Sequence, residues 1–258
     1  MTPLQVALGV LVGFVAGIGS GLFGVGGGIV TTPAVDVLLG GTAIEAIATP
    51  LPVIFPTSLV GAWTYWRAGE LSVRAAGWGA LAGIPGAVFG ALSTEYVDAH
   101  LLLFVTAVLL AWTATQVIRG RQPRVPWERG ATPAWKYAVI GGLAGYVSGL
   151  LGVGGGIVMV PAFTVWIGMP LRRALGTSLV TIAALVVPGT IVHWWLGNID
   201  WEIFLVLVAG VVPGARIGAR IALGARERSL RLTVGIFLLA ISLLYGADEL
   251  TAVLGTHG

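Results

Sequence analysis

Two glycine-rich runs carry the residues best suited to binding chemistry. The first, Gly17–Pro33, contains Ser-Gly-Leu-Phe-Gly-Val-Gly-Gly-Gly-Ile-Val, and Gly145–Pro161 repeats it at an offset of 128 (145 − 17) with Leu in place of Phe. Glycine has no Cβ, so such a run breaks a helix and lets backbone or ligand approach closely. A helix that restarts after the break presents free N–H groups and a positive dipole end, which favour an anion. The two runs therefore predict a matched pair of anion-binding turns.

We predict a cage of neutral donors, built from these turns and from nearby hydroxyl groups. A cage of this kind suits an anion that must be released again. The predicted substrate-binding residues are Ser20, Gly24, Gly26, Gly27, Gly28, Thr49, Ser148, Gly152, Gly154, Gly155, Gly156, Thr177, Ser178 and Arg216. The alternative is that the glycines serve close helix packing and that the hydroxyls bond to carbonyls one turn back in their own helices.

Three ionisable residues in apolar sequence are further candidates. Arg216 would be costly inside a membrane and functional there, unless its side chain reaches the cytoplasmic interface. Asp36, just after the first glycine run, is a candidate for proton coupling or a polar residue at the outer edge. His193 titrates in a range suited to proton coupling. Its place before Trp194 and Trp195 favours an interfacial aromatic belt instead.

The elements that must position these residues are membrane helices. The 258 residues are 57% hydrophobic and only 10% charged, whereas a soluble domain carries about 25% charged residues. The apolar segments are too long for the ~10-residue alternating strands of a membrane barrel. The composition therefore predicts an all-α polytopic membrane protein. No Lys or Arg precedes Arg67, so the first helix lacks the basic region of a signal peptide and is interpreted as part of the mature protein.

The chain also contains an internal duplication. Beyond the glycine runs, the same offset of 128, without a gap, pairs Thr49 with Thr177, Gly61 with Gly189, Trp66 with Trp194, and Pro85-Gly86-Ala87 with Pro213-Gly214-Ala215. We predict a first membrane repeat at residues 1–118, a basic cytoplasmic linker at 119–133 and a second membrane repeat at 134–258.

Loop charges indicate that the two repeats have inverted topology. The loop after the third segment holds Arg67 and Arg74, while its counterpart at 196–202 holds no Lys or Arg. The acidic loop around Glu95 has its counterpart at 220–231, which holds four arginines. Because short cytoplasmic loops are enriched in Lys and Arg, the copies are expected to cross the membrane in opposite directions. Both termini are then predicted to lie outside.

Each repeat is expected to contain a glycine-broken, partly re-entrant hairpin and three spanning helices. The segment after the first run, Ile29 to Leu39, would cover only about half of a ~30 Å hydrocarbon core. Whether the hairpins cross fully stays open at this point. Inverted repeats with paired broken helices are typical of secondary transporters, whose site lies near the membrane midplane.

Several motifs together resemble a known family. They are the paired Gly-x-Gly-Gly-Gly-Ile-x-x-x-Pro runs, the Ala-x-x-Thr-Ser-Leu at 174–179, and the two later Pro-Gly-Ala-x-x-Gly-Ala motifs. The chain resembles the sulfite exporter TauE/SafE family of small bacterial and archaeal permeases over nearly its whole length. The resemblance implies movement of small sulfur-containing anions such as sulfite, sulfonates or sulfoacetate-like compounds. The first half departs at Thr49-Pro50-Leu51, where the second half has Thr177-Ser178-Leu179.

We therefore predict a secondary transporter of a small sulfur-containing anion, working by alternating access in the inner (cytoplasmic) membrane. Its expected partners are the anion and the lipid bilayer. The net charge of +3 is too small to suggest nucleic acid, and the three histidines lack metal-ligand spacing. We expect no cofactor, no metal and no enzymatic activity. The alternatives are a passive anion channel and a membrane-embedded enzyme or assembly scaffold. The residues leave the anion, the direction of transport, the coupling ion and the oligomeric state open.

Overall fold

The computed structural model describes residues 2–93, 108, 111–112, 114–116, 118–119, 132–151 and 154–255. Within these residues the chain forms helices and no strand. The helices are α1 (Pro3–Phe23), α2 (Gly28–Val37), α3 (Ala43–Ala48), α4 (Pro50–Arg67), α5 (Val73–Ser93), α6 (Ala134–Leu151), α7 (Gly156–Pro161), α8 (Leu171–Trp195), α9 (Trp201–Gly224) and α10 (Glu227–Gly255). A π-helical turn, Ala162–Trp166, continues α7. Most of the predicted linker at 119–133 lies outside the described residues.

Three of the described helices, α1, α8 and α9, are long and apolar enough to cross a membrane. This confirms the predicted class, an all-α membrane protein, for the part of the chain that is described. The expected third segment, about Ile44 to Trp66, is divided into α3 and α4 at Thr49. Pro50 follows this break and occupies the first position of α4, where its missing N–H costs no intrahelical hydrogen bond.

The two glycine runs separate α1 from α2 and α6 from α7, and each run forms the tip of a hairpin. Both hairpins return to the end where they began. The Gln5 side chain, near the start of α1, lies 3.5 Å from the Leu39 carbonyl oxygen just after α2. The rings of Trp135 and Trp166, at the open end of the second hairpin, have centroids 6.2 Å apart. The chain therefore leaves each hairpin on the side by which it entered.

Glycines let α1 pack in parallel against α9. A Cβ added to Gly13 would lie 2.4 Å from the Leu207 carbonyl oxygen, and one added to Gly17 would lie 2.4 Å from that of Val211. From the other helix, a Cβ on Gly214 would meet the Phe14 carbonyl oxygen at 2.3 Å. No side chain fits at these distances, so the two backbones are in direct contact.

The same arrangement joins α5 to α6. A Cβ on Gly141 would lie 2.0 Å from the Gly79 carbonyl oxygen, and one on Gly145 would lie 2.0 Å from that of Gly83. The offset of 128 relates α1 to α6 and α5 to α9, within a few residues at the helix ends. The two contacts are therefore equivalent, and each joins one half of the chain to the other.

Helices α4 and α8, which correspond to each other in the two halves, cross the centre of the bundle side by side. A Cβ on Gly61 would lie 2.8 Å from Leu179 Cδ1, and one on Gly189 would lie 3.4 Å from Leu51 Cδ1. The end of α4 thus lies near the start of α8, and the start of α4 lies near the end of α8. The two helices are antiparallel. Adding 128 to Leu51 and Gly61 gives Leu179 and Gly189, so the two contacts are equivalent.

The described charged residues are divided between the two ends of this bundle. We call the end at which α4 finishes and α8 begins the Glu70 end, and the opposite one the Asp200 end. Arg173 Nη2 lies 3.6 Å from Glu70 Oε2 and joins the two halves at the Glu70 end. The basic residues of that end are Arg67, Arg74, Lys136, Arg172, Arg173, Arg226, Arg228 and Arg231. Acidic Glu45, Asp200 and Glu202 lie at the Asp200 end, whereas Glu227 lies at the Glu70 end, where it pairs with Arg231.

Candidate functional site

The tips of the two glycine runs meet inside the bundle. A Cβ on Gly156 would lie 2.4 Å from the Gly24 carbonyl oxygen, and one on Gly154 would lie 3.1 Å from the Val25 carbonyl oxygen. Gly26 and Gly154 have φ of 97° and 85°, a left-handed conformation that residues other than glycine rarely adopt. Glycine is therefore required here for two reasons, the close approach and the turn geometry.

Two equivalent isoleucines flank this junction. A Cβ on Gly26 would lie 3.0 Å from Ile54 Cγ2 and 3.1 Å from Ile182 Cγ2. Both isoleucines are fully buried. Ile54 belongs to α4 and Ile182 to α8, at the same position in the two repeats. The central helices thus cover the tips with apolar side chains, which exclude water from the junction.

The helices that restart after the tips begin without a side-chain cap. The residues before α2 and α7 are Gly27 and Gly155, with φ of 86° and 60°, and neither start is capped by a side chain. The first N–H groups of a helix have no partner within the helix. At the start of α2 the Val30 N–H already donates to the Gly27 carbonyl oxygen at 3.1 Å. The donors left for an anion are therefore the N–H groups of Gly28 and Ile29, at the positive end of the helix dipole.

Ser20 provides a free hydroxyl beside the first tip. Its side chain is 1% exposed, and within the described ranges its Oγ has no hydrogen-bond partner. Ser20 lines a cavity with Val25, Gly27 and Phe237. The cavity is small, at about 10 Å³, which is room for about one water molecule. Ser20 is one of the predicted binding residues, and its unused donor faces the start of α2.

Two other side chains hold the first tip in place. Ser178 Oγ lies 2.9 Å from the Gly24 carbonyl oxygen and 2.8 Å from that of Leu175 in its own helix, so its one proton is shared between them. The hydroxyl of Tyr65, a fully buried residue of α4, donates to the Gly21 carbonyl oxygen at 2.9 Å. Both bonds satisfy carbonyl groups at the end of α1, where a helix has no internal donors left. Ser178, which the sequence predicts to bind substrate, therefore contacts the tip at the backbone carbonyl group of Gly24.

Thr49 and Thr177 form an equivalent pair at the two ends of the bundle. Thr177 Oγ1 accepts from the N–H of Ser72 at 3.1 Å, and Thr49 Oγ1 accepts from the N–H of Asp200 at 3.1 Å. Ser72 and Asp200 are themselves related by the offset of 128, and each lies just before a helix of the opposite repeat. Both threonines are fully buried. In the structure each hydroxyl accepts a hydrogen bond from the other half of the chain.

The remaining candidates are dispersed. Ser148, the counterpart of Ser20, is 5% exposed near the end of α6. Arg216 has an exposed side chain on α9. His193, near the end of α8, lies with its Nδ1 3.2 Å from the side-chain nitrogen of Asn198. Gly152 and the side chain of Asp36 lie outside the part of the chain that the structure describes.

Sequence reasoning missed Ser58, which lies beside the first tip. A Cβ on Gly26 would be 3.8 Å from Ser58 Oγ. Ser58 belongs to an apolar helix and its counterpart in the second repeat is Val186. The sequence did contain a signal, because Ser58 has a hydroxyl where its counterpart in the other half is apolar.

Comparison with known proteins places the chain among membrane transporters. Residues 9–245 match the family model described as "Sulfite exporter TauE/SafE". A "Probable membrane transporter protein" of Xylella fastidiosa is 28% identical, over 93% of each chain. "Probable membrane transporter protein YdhB" of Bacillus subtilis is 27% identical, over 82% of this chain and 88% of its own length. "Probable membrane transporter protein MJ0441" of Methanocaldococcus jannaschii is 24% identical, over 91% of this chain and 93% of its own length.

The family match confirms the resemblance seen in the paired glycine motifs, and the relatives' names agree with a transporter rather than an enzyme. The chain belongs to the sulfite exporter TauE/SafE family.

Proposed function

We propose that the protein is a secondary transporter that moves a small sulfur-containing anion, such as sulfite, a sulfonate or a sulfoacetate-like compound, across the cytoplasmic membrane. The observation that carries this proposal is the junction of the two glycine tips. There the uncapped start of α2 and the free, buried hydroxyl of Ser20 offer donors to one ligand. Neutral donors of this kind attract an anion and still allow its release.

Alternating access is supported by how tightly the junction is closed. The tips are in backbone contact at Gly24 and Gly156, and the cavity beside Ser20 measures about 10 Å³. A sulfur oxyanion needs more space than one water molecule. Binding therefore requires the hairpins or the central helices to move, and a site that opens by such movement suits a transporter better than a continuously open channel.

The symmetry of the contacts supports inverted repeats. Helices α4 and α8 are equivalent in sequence and antiparallel, so equivalent helices cross the membrane in opposite directions in this proposal. The hairpin of α1 and α2 then enters from one side and the hairpin of α6 and α7 from the other. The short length of α2, 10 residues, supports a re-entrant hairpin, because it would span about 15 Å of a ~30 Å core.

The distribution of charge supports an orientation. The Glu70 end carries Arg67, Arg74 and Arg173, and the Asp200 end carries acidic residues. Because cytoplasmic loops are enriched in Lys and Arg, the Glu70 end faces the cytoplasm in this proposal. The start of α1, which runs parallel to α9 from the Asp200 end, then lies outside.

The test is anion flux in proteoliposomes that contain the purified protein. Sulfite, sulfoacetate and sulfate are offered under an imposed proton gradient or membrane potential. We expect sulfite or sulfoacetate to accumulate against its own concentration gradient. Flux that runs only downhill under every imposed gradient would favour the passive anion channel. A folded protein that moves none of these anions would overturn the substrate class.

A matched pair of glycine variants tests the position of the site. Gly27→Ala and Gly69→Ala both place a side chain at a left-handed glycine, with φ of 86° and 75°. The nearest atom to the new Cβ is 3.5 Å away at Gly27, and nothing lies within 4 Å at Gly69. The backbone strain, about 1–2 kcal/mol, is thus similar in the two variants. We expect only Gly27→Ala to lose flux, and equal flux would contradict a site at the tip.

A further inference from the structure

Ser58 has a buried hydroxyl that the protein itself does not use. The residue is fully buried in α4, and its Oγ has no hydrogen-bond partner among the residues that the structure describes. Its neighbour Thr57 is equally buried but donates to the Val53 carbonyl oxygen at 2.6 Å. A buried Ser or Thr in a helix commonly bonds in this way to the carbonyl one turn back. A buried polar group without a partner needs an explanation, because its desolvation costs free energy that nothing in the protein offsets.

The position of Ser58 points to a ligand at the first tip. Its Oγ is 3.8 Å from where a Cβ on Gly26 would lie, and the Cβ of Ser20 is 3.5 Å from where one on Gly27 would lie. Two buried hydroxyls without partners therefore flank consecutive glycines of the same turn. That turn leads directly into the uncapped start of α2.

The second repeat has only part of this arrangement. The counterpart of Ser20 is Ser148, but the counterpart of Ser58 is Val186. The first tip can thus offer a donor from α4 that the equivalent position of α8 cannot offer to the second. Hydrogen bonds to an ionised acceptor are stronger than those between neutral groups. One added donor should therefore make the first tip bind an anion more tightly than the second.

We propose that Ser58 is a specificity-determining residue of the transport site, whose hydroxyl donates to an oxygen of the bound anion. This inference rests on the proposed function. It makes the site one-sided, with Ser58 and Ser20 of the first repeat holding the anion beside the start of α2. The expected ligand is an anion with several acceptor oxygens, such as sulfite or a sulfonate, because two separate hydroxyls and the helix N–H groups can then be satisfied together.

The test compares Ser58→Ala with Thr57→Val in proteoliposomes supplied with sulfite. Both variants remove one buried hydroxyl from adjacent positions of α4. We expect the sulfite concentration for half-maximal flux to rise about tenfold or more in Ser58→Ala, since a hydrogen bond to a charged group is lost. Thr57→Val should stay close to the unaltered protein. Ser58→Thr, which keeps a hydroxyl, should retain tighter sulfite binding than Ser58→Ala.

Thermal unfolding separates this role from a structural one. Because Ser58 Oγ has no partner in the described part of the chain, Ser58→Ala should unfold at the same temperature as the unaltered protein or higher when no anion is present. The rise in unfolding temperature that sulfite gives through binding to the folded state should be reduced. A lower unfolding temperature with an unchanged sulfite effect would assign Ser58 to structure and overturn the inference.

The outcomes distinguish this inference from the proposed function. If the unaltered protein accumulates sulfite and Ser58→Ala does so with the same concentration dependence, the role of Ser58 is wrong and the transporter stands. If the unaltered protein moves neither sulfite nor sulfoacetate nor sulfate, the proposed function fails and the role of Ser58 fails with it.

Discussion

Gly156 packs directly on the backbone of Gly24, so the two duplicated glycine runs touch each other. A Cβ on Gly156 would lie 2.4 Å from the Gly24 carbonyl oxygen and 2.7 Å from Val25 Cα. Real Cβ atoms do not approach a backbone oxygen this closely, and a rigid junction of two backbones has little room to adjust. The first residue of α7 thus lies directly against Gly24 and Val25, which follow α1, and only a residue without a side chain fits there.

Gly156→Ala is therefore expected to push the tips apart. We expect a lower unfolding temperature and a loss of flux, because the new methyl group overpacks a buried junction, an effect that typically costs about 1–3 kcal/mol. Gly142→Ala is the control, since its Cβ would lie 3.7 Å from the nearest atom, the Ala82 carbonyl oxygen. That change should be neutral or stabilising by roughly 0.5–1 kcal/mol, as alanine is favoured over glycine within a helix. Equal unfolding temperatures for the two variants would contradict the contact.

The equivalent threonines allow a paired prediction. Thr49→Val and Thr177→Val each remove the acceptor of one N–H group, that of Asp200 or that of Ser72. We expect both variants to lose roughly 0.5–1.5 kcal/mol of stability, because each loses a hydrogen bond to a partly buried N–H group. Denaturant unfolding in detergent measures this loss. Thr57→Val is the control, because the Thr57 hydroxyl donates to the Val53 carbonyl oxygen of its own helix and joins no other element.

The same experiment decides between two roles for these threonines. A loss of anion flux without a loss of stability would favour the substrate-binding role that the sequence predicts for Thr49 and Thr177. A loss of stability with the remaining folded protein still active would favour the joining role.

The glycine tips could be predicted from the sequence because their signal is local. Consecutive glycines within apolar sequence break a helix wherever they stand, and the identical Gly-Val-Gly-Gly-Gly at 24–28 and 152–156 indicated that the two breaks are equivalent. The uncapped helix starts at Gly28 and Gly156 follow from the same residues. The all-helical class follows from composition, which depends on no particular contact.

The roles of individual polar residues depend on contacts between the repeats and could not be read in this way. Thr49 binds the N–H of Asp200, 151 residues away. Arg216 is exposed because of the face of α9 on which it lies, and that face is fixed by the glycines that contact α1. Ser58 and Thr57 are adjacent in sequence, and only the neighbouring backbone decides which hydroxyl is free.

The glycines between α1 and α9 should be as sensitive as their equivalents between α5 and α6. Gly17→Ala would bring a Cβ to 2.4 Å from the Val211 carbonyl oxygen, and Gly145→Ala to 2.0 Å from that of Gly83. We expect both variants to unfold at a lower temperature, since two backbones in contact must separate. Gly77→Ala, with nothing within 4 Å of the new Cβ, should unfold like the unaltered protein. A stable Gly17→Ala or Gly145→Ala variant would contradict the backbone packing of that pair of helices.

Cysteine labelling can test the proposed inverted topology at two equivalent loop positions. The sequence contains no cysteine, so Ala68→Cys and Leu196→Cys each create a single thiol. Both side chains are exposed, and they occupy corresponding positions after α4 and after α8. A membrane-impermeant maleimide added to spheroplasts should label Leu196→Cys, while Ala68→Cys should react only after permeabilisation. Repeats of parallel topology would give the same result at both positions. The opposite pattern would keep the inversion but reverse the orientation, because it would put the arginine-rich Glu70 end outside.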